Sequence, residues 1–127
     1  MITSGESKKK RFLGFTISDS MFSTNAIITR KEISTREFME WVEAGEVIPV
    51  ILQKHKFIVD ALQSRYGIKI ELLDKLPEIN FQEGDSLVVM QVRGLPPYNP
   101  NCEYTAAEII SASFSFSLWK ILSTFSR

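Results

Sequence analysis

The segment VIPVILQKHKFIVDAL, residues 47–62, joins an apolar run to the start of a predicted helix. Residues 47–52 predict a short strand, because a short apolar run of this kind is typical of buried strands. After it, apolar residues recur at helical spacing up to Tyr66, and Gly67 is well placed as the C-terminal cap. The segment therefore predicts a strand and then a helix, with His55 in the first turn of that helix or just before it.

His55 is the only histidine of the chain. It is the first candidate for proton-transfer chemistry, because the unperturbed pKa of histidine is about 6.5. The neighbouring cations Lys54 and Lys56, with the positive end of the helix dipole, favour a bound anion at this point. The same charges should lower the pKa of His55 in the empty site, and a bound phosphate should raise it again. The alternative is a solvated residue at the start of a surface helix.

The composition fits one compact domain, since the chain has 127 residues of which 44% are hydrophobic. Fifteen basic and fifteen acidic residues cancel, which excludes an overall charge that would attract nucleic acid or a membrane, so any anion site must be local. The single cysteine, Cys102, excludes an internal disulfide. One cysteine and one histidine also make a conventional zinc site unexpected, and we expect neither a metal nor another cofactor.

The hydropathy of the chain and its N-terminal residues indicate where in the cell the protein is expected. No apolar run approaches the roughly 20 residues that span a bilayer, and the first residues lack the order of a signal peptide. We therefore expect a cytoplasmic protein with no membrane partner. Residues 1–10 are polar and end in a cationic run, which predicts a flexible basic tail before a single domain over residues 11–127.

The first half of the domain begins with two predicted strands and a helix. Residues 12–17 form a short apolar run, and residues 26–33 predict a second strand that pairs with the first as a hairpin. Ser34 and Glu37 have the spacing of a capping box, so they predict the start of a helix. Gly45 predicts its end.

The second half continues with strands and one more helix. Residues 68–72 and 76–81 predict two short strands, and residues 86–92 predict the central strand because they are almost continuously apolar. Thr105-Ala106-Ala107-Glu108 is a second capping box, and residues 113–122 alternate between apolar and polar. The order predicts an α+β fold: a single small domain with a mixed, mostly antiparallel β-sheet of about five strands flanked by helices.

Two pairs of polar residues stand where predicted strands end. Ser18 and Ser20 lie in the loop after the first strand, where hydroxyls and free amides can hold a phosphate or a ribose. Serines are equally common in ordinary turns. Gln91 and Arg93 end the central strand, just before a proline-rich loop, and a rigid strand end of this kind suits a binding site.

Several short motifs follow one another in a characteristic order. They are a serine-containing loop ending in Met21, Ile33-Ser34 with Glu37 and Phe38, a histidine six residues before Ala61-Leu62, Gly67-Ile68, Glu83-Gly84-Asp85, and the Gln91 strand with its proline-rich loop. From about Phe12 to Pro97, this combination resembles the anti-CRISPR ring nucleases of archaeal viruses and their archaeal and bacterial relatives.

The resemblance implies a small α+β homodimer that binds cyclic tetra-adenylate, the second messenger of type III CRISPR systems, and cuts it without a metal in the host cytoplasm. A ribose 2′-hydroxyl attacks its own phosphate, and a histidine protonates the departing 5′-oxygen. General acid catalysis needs a group that titrates near neutrality, and the developing charge needs cations and amide donors. A two-fold dimer would place two histidines around a ring that can share its symmetry.

The resemblance also assigns roles to individual residues. His55 matches the catalytic histidine, Ser18 and Ser20 match polar residues of the ligand-binding loop, and Gln91 matches a strand glutamine. Arg93 lies close to the position of an arginine that normally follows a few residues later.

The chain departs from the family pattern at the site. Lys54 and Ile58 replace a glycine and a threonine beside the histidine, and Phe15 stands where an asparagine is expected. The glutamate expected after the glutamine strand is missing from residues 93–97, and Glu103 could replace it only if the loop folds back.

Three functions follow from the residues and the resemblance. The first is a metal-independent ring nuclease with His55 as general acid and Lys54, Lys56 and Arg93 as phosphate ligands. The second is a non-catalytic dimeric protein that sequesters a cyclic oligonucleotide or another nucleic acid, which the missing glutamate favours. The third is a structural or interaction protein without a nucleotide ligand, which the absence of net charge favours.

Overall fold

The computed structural model describes residues 9–97 and 104–125. Most of the basic tail predicted for residues 1–10 lies outside this part of the chain. Within it, no helix is long and apolar enough to cross a lipid bilayer.

The described residues form a five-stranded sheet with three helices. The elements are β1 (Arg11–Gly14), β2 (Asn25–Ile33), α1 (Thr35–Glu43), β3 (Ile48–Pro49), α2 (Lys56–Tyr66), β4 (Ser86–Arg93), α3 (Ala106–Ser111) and β5 (Ser113–Phe125), with short 3₁₀ turns at Asp19–Met21 and Gln53–His55. The strand order is β2-β5-β4-β1-β3. β1 is parallel to β3 and β4, whereas the longer β5 is antiparallel to β2 and β4. The predicted α+β fold with a mixed sheet of five strands is confirmed.

The predicted hairpin between the first two strands is wrong. β2 lies at the edge of the sheet and pairs with β5, from Asn25 opposite Phe125 to Ile33 opposite Phe116. β1 has only four residues, and both of its edges are already paired, with β3 and with β4. The long ladder with β5 satisfies many more backbone hydrogen-bonding groups of β2 than the short β1 could.

The two strands predicted for residues 68–72 and 76–81 are also absent from the described sheet. Ile68 and Ile70 are buried in the core, and Leu73 forms only an isolated bridge with Leu52. Their alternating apolar pattern therefore reflects burial of alternate side chains from an irregular segment rather than a strand.

The two faces of the sheet are covered unequally. α1 and α2 pack against the first face, where Phe38 stacks on Phe116 with ring centroids 4.0 Å apart. On the second face, a smaller cluster around Phe81, Leu87 and Ile121 covers only the part near the beginning of β4. Beyond this cluster the second face carries polar side chains, and we call that part the open face.

The ends of the helices follow the sequence signals. The Ser34 hydroxyl accepts a hydrogen bond from the Glu37 amide (3.0 Å), and Thr105 and Glu108 form a complete capping box. α2 ends at Gly67, whose φ of 72° is the left-handed conformation expected of a C-terminal glycine. The capping box at Thr105 and Glu108 and the C-terminal cap at Gly67 are therefore confirmed, whereas the box at Ser34 and Glu37 is described only in its Ser34 half.

Substitution of two glycines distinguishes the free-energy cost of a positive φ angle from the cost of steric crowding by an added Cβ. Gly94 and Gly67 both have positive φ angles, of 88° and 72°. A Cβ at Gly94 would lie 3.2 Å from the backbone oxygen of Ser111, whereas a Cβ at Gly67 would have no neighbour within 4 Å. Gly67→Ala should lower the free energy of unfolding by about 1 kcal/mol, and Gly94→Ala by more, as measured by urea denaturation. Equal losses would show that α3 moves away from Gly94 without cost.

Candidate functional site

His55 stands at the junction between the 3₁₀ turn and α2. Its backbone amide donates to the Leu52 carbonyl (2.9 Å), which closes the turn. It is the residue immediately before α2, as predicted, but its side chain makes no capping hydrogen bond to the helix. The imidazole is therefore not used as a cap, which weakens the simplest structural role for the histidine.

The imidazole of His55 packs against aromatic rings. It meets the ring of Phe15 edge-on, with centroids 5.0 Å apart and an interplanar angle of 69°, and the ring of Phe57 lies 6.5 Å away. Burial lowers the pKa of His55 from 6.5, and the positive charge of Lys54 lowers it further. The lowered pKa was predicted from the lysines, but burial is the larger cause. Phe15, which replaces the expected asparagine, contributes to that burial.

The ring of Phe15 also lines a pocket of about 270 Å³ on the open face. Gln91 lines the same pocket, whereas His55 is not part of its described lining and reaches it only through its contact with Phe15. The pocket is also lined by β2 and β5, through residues that include Arg30, Glu32 and Trp119. It therefore combines aromatic surface, hydrogen-bonding groups of both kinds and one cation.

Strand register explains why these side chains meet. Gln91 of β4 is opposite Ser115 of β5, while Ser117 and Trp119 of β5 are opposite Glu32 and Arg30 of β2, respectively. Alternate residues of a strand point to the same face, so all of these side chains share the open face. The Trp119 indole N–H donates to the Ser117 hydroxyl (3.0 Å), which fixes the orientation of the ring. The Arg30 guanidinium lies 5.8 Å from the centroid of that ring.

The other predicted site residues are placed differently. Ser18 and Ser20 are exposed and lie outside the described lining of this pocket, with their hydroxyls 2.9 Å apart in a hydrogen bond. The Lys56 ammonium pairs with the Asp60 carboxylate at 2.7 Å, one turn along α2. Arg93 is exposed two residues beyond Gln91 on the same face, outside the described lining. Of the predicted ligands, only Gln91 therefore lines this pocket.

Sequence reasoning missed Arg30, Glu32 and Trp119. The polar alternation of β5 indicated a solvated face, but the assignment of β2 as a partner of β1 hid the fact that Arg30 and Glu32 share that face. Among the lining residues that the structure describes, Glu32 alone carries a carboxylate. The resemblance led us to expect a glutamate after the Gln91 strand, but residues 93–97 contain none. Glu32 brings a carboxylate to the pocket from β2 instead.

In the part of the chain that the structure describes, the metal-binding residue types do not cluster in a way that suggests a metal centre. Within residues 9–97 and 104–125, no three histidine, cysteine, aspartate or glutamate side chains are grouped to hold an ion.

Comparison with known proteins identifies a shared fold but no activity. No protein-family model matches the chain, and no curated protein sequence matches it either. Among solved structures, the chain is similar to B116 of Sulfolobus turreted icosahedral virus, with a TM-score of 0.63 and 17% sequence identity over 87% of this chain and 98% of that one. The chain therefore has the fold of a small archaeal virus protein over nearly the whole of that protein.

The state of His55 can be measured directly, because a single histidine gives unambiguous imidazole signals in an NMR titration. We expect a pKa below 6.5 in the free protein. Phe15→Ala should raise it towards 6.5 by exposing the ring, and Lys54→Met should raise it by a smaller amount because its charge is the lesser cause. Lys31→Met is the charge control, because Lys31 is exposed on β2, at the far edge of the sheet from β1. A wild-type pKa at or above 6.5 would contradict burial of the imidazole as the dominant effect.

Proposed function

We propose that the protein is a metal-independent ring nuclease that binds cyclic tetra-adenylate on the open face and cleaves it with His55 as general acid. Its role would be to remove the signal of type III CRISPR systems in the host cytoplasm. The observation that carries the proposal is that Phe15, whose ring contacts His55, lines one pocket together with Gln91. This arrangement sets a group that titrates near neutrality beside a pocket with nucleotide-binding chemistry.

The pocket offers partners for the base and the phosphate of an adenosine nucleotide. Trp119 and Phe15 present aromatic surface on which a base can stack. The amide of Gln91 can form two hydrogen bonds with the N6 and N7 atoms of adenine. Arg30 supplies a cation for a phosphate, and its position beside the Trp119 ring orients the guanidinium.

The proposed reaction needs a proton donor and a proton acceptor. The ribose 2′-oxygen attacks the adjacent phosphorus, the bond from phosphorus to the 5′-oxygen breaks, and the products are a 2′,3′-cyclic phosphate and a 5′-hydroxyl. Protonated His55 gives its proton to the departing 5′-oxygen. The Glu32 carboxylate accepts the proton of the 2′-hydroxyl. Lys54, whose charge acts on His55, and Arg93, two residues beyond Gln91 on the same face, would serve as further cations for the phosphates.

The shared fold supports the proposal at a coarser level. The similarity to B116 of Sulfolobus turreted icosahedral virus agrees with a small protein that acts in an archaeal host. We further propose that the active form is a homodimer, because a two-fold axis would present two copies of His55 to a ring of four nucleotides.

Cleavage of radiolabelled cyclic tetra-adenylate in EDTA tests the chemistry. Wild-type protein should produce linear fragments that end in a cyclic phosphate, and His55→Ala should reduce the rate by about 10²- to 10⁴-fold while binding persists. Since His55 must be protonated, kcat/KM should fall as the pH rises through the lowered pKa of the free protein. The bound phosphates raise that pKa, so kcat should persist to higher pH.

The same assay decides between catalysis and sequestration. The departures around His55, above all Lys54 and Ile58 beside it, favour the non-catalytic alternative. Tight binding without turnover by wild-type protein at any pH from 5 to 8 would establish that alternative and reject the nuclease. Absence of binding would reject both.

Two arginines provide a matched test of the pocket. Arg30 lines it, whereas Arg36 is exposed on α1 and pairs weakly with Glu40 at 3.9 Å. Arg30→Ala should weaken binding of cyclic tetra-adenylate about tenfold and reduce its dependence on salt, because one phosphate contact is lost. Arg36→Ala should change neither quantity in the same calorimetric titration. Equal effects of the two substitutions would remove the open face from the binding site.

A further inference from the structure

A second, larger pocket lies on the other face of the sheet, near the beginnings of β1 and β4. Its volume is about 830 Å³, and four cations line it: Lys9, Lys10, Arg11 and Lys120. We call it the basic pocket. Its volume is within the range of about 300–1,000 Å³ that is common for small-molecule sites. In a chain without net charge, this concentration of cations is a local feature.

The sheet brings these cations together from distant parts of the chain. Ser86 of β4 is opposite Arg11 of β1 on one side and opposite Lys120 of β5 on the other. The three residues therefore form a row across the sheet, with a cation on each side of a small hydroxyl. Lys120 is exposed, and Ser86 also lines the pocket.

Arg11 is held in place by its contacts. Its guanidinium carbon lies 3.8 Å from the centroid of the Trp41 ring, which fixes the plane of the group. The Nε atom is buried and has no hydrogen-bond partner in the described structure. The nearest described carboxylate is that of Glu46, and its oxygen is 4.0 Å from Nη1, which is the limit of an ion pair. The charge of Arg11 is therefore only weakly compensated.

Neighbouring acidic groups neutralise the remaining cations only in part. The buried carboxylate of Asp85 accepts hydrogen bonds from the backbone amides of Lys10 (3.1 Å) and Gln82 (2.9 Å), so it adds one negative charge beside the pocket. The Lys9 ammonium donates to the backbone carbonyl of Glu83 at 2.8 Å. The pocket is thus lined by four cations and one carboxylate, that of Glu46.

A purely structural role for the cations accounts for only part of this charge. α1 ends beside the pocket, at Ala44 and Gly45, and the end of a helix carries about half a negative charge. Together with the carboxylates of Glu46 and Asp85, that partial charge offsets about two and a half of the four cationic charges. The positive charge that remains around one concavity favours a bound anion.

We infer that the basic pocket binds the phosphate groups of a small polyphosphate ligand. The site is separate from the open face. Ser86 and Gln91 are five residues apart in β4, or about 17 Å at the rise of a strand, and they point to opposite faces. The inference therefore does not depend on the proposed nuclease activity.

The test uses inorganic tripolyphosphate as the probe and isothermal titration calorimetry as the measurement. Tripolyphosphate should bind at one site per chain and at least tenfold more tightly than orthophosphate. The double variant Lys10→Gln with Lys120→Gln should weaken tripolyphosphate binding at least tenfold. Lys69→Gln with Lys75→Gln removes the same charge from exposed lysines outside the pocket lining and is the matched control. Equal affinity for the two anions, or equal losses in the two double variants, would overturn the inference.

Two further measurements separate a small-ligand site from a structural cluster of cations and from an RNA-binding surface. If the cations form a ligand site, the double variant at Lys10 and Lys120 should be at least as stable as wild type without ligand, because repulsion is relieved, and tripolyphosphate should raise the melting temperature of wild type alone. A less stable variant would indicate a structural role instead. A 12-nucleotide single-stranded RNA that binds tenfold more tightly than tripolyphosphate, and is weakened by the same variant, would overturn the assignment to a small ligand.

Discussion

The double ladder of β5 is the constraint on which the sheet and both pockets depend. β5 is the longest strand, and it pairs with β2 along one edge and with β4 along the other. Because side chains alternate between faces, a shift of one residue in either pairing would exchange the buried and solvated sets of a whole strand. Phe114 and Phe116 in the core hold the register, since they are buried on the first face. Ser115, between them, and Ser117, after Phe116, must then lie on the opposite face.

The incomplete cover of the second face creates the room for a site. One face of an antiparallel pair can remain in contact with water if its side chains are polar, and the exposed Ser115 of β5 with Arg30 and Glu32 of β2 meets that condition. The smaller core around Phe81 protects the other end of the same face. A protein of this size can therefore keep a folded core and still leave a sheet surface for a ligand. The basic pocket lies on the helix-bearing face at the opposite end, so the two surfaces carry separate chemistry.

Local signals in the sequence were enough to predict the helices and the place of His55 at the start of α2. Caps and helical spacing depend only on residues that are close in the chain. The partners of β2 were not predictable in the same way. Pairing depends on which long strand offers an unpaired edge, and residues 25–33 carry no local mark of residues 113–125. That error concealed Arg30 and Glu32 as site residues. The strands predicted within residues 68–81 were wrong for another reason. Burial of alternate side chains gives the same apolar pattern whether or not the segment pairs with a neighbouring strand.

The shift in the pKa of His55 and the affinity for a phosphate are two aspects of one free energy. Burial against Phe15 and the charge of Lys54 both disfavour the protonated imidazole, so the empty site holds it mainly in the neutral form at pH 7. A bound phosphate favours the protonated form, and by reciprocity the protonated protein binds phosphate more tightly. Each unit by which the anion raises the pKa corresponds to about a tenfold preference for the protonated state. In the proposed mechanism, the aromatic neighbour would therefore make protonation conditional on the ligand, so that the general acid would form in the complex in which it is needed.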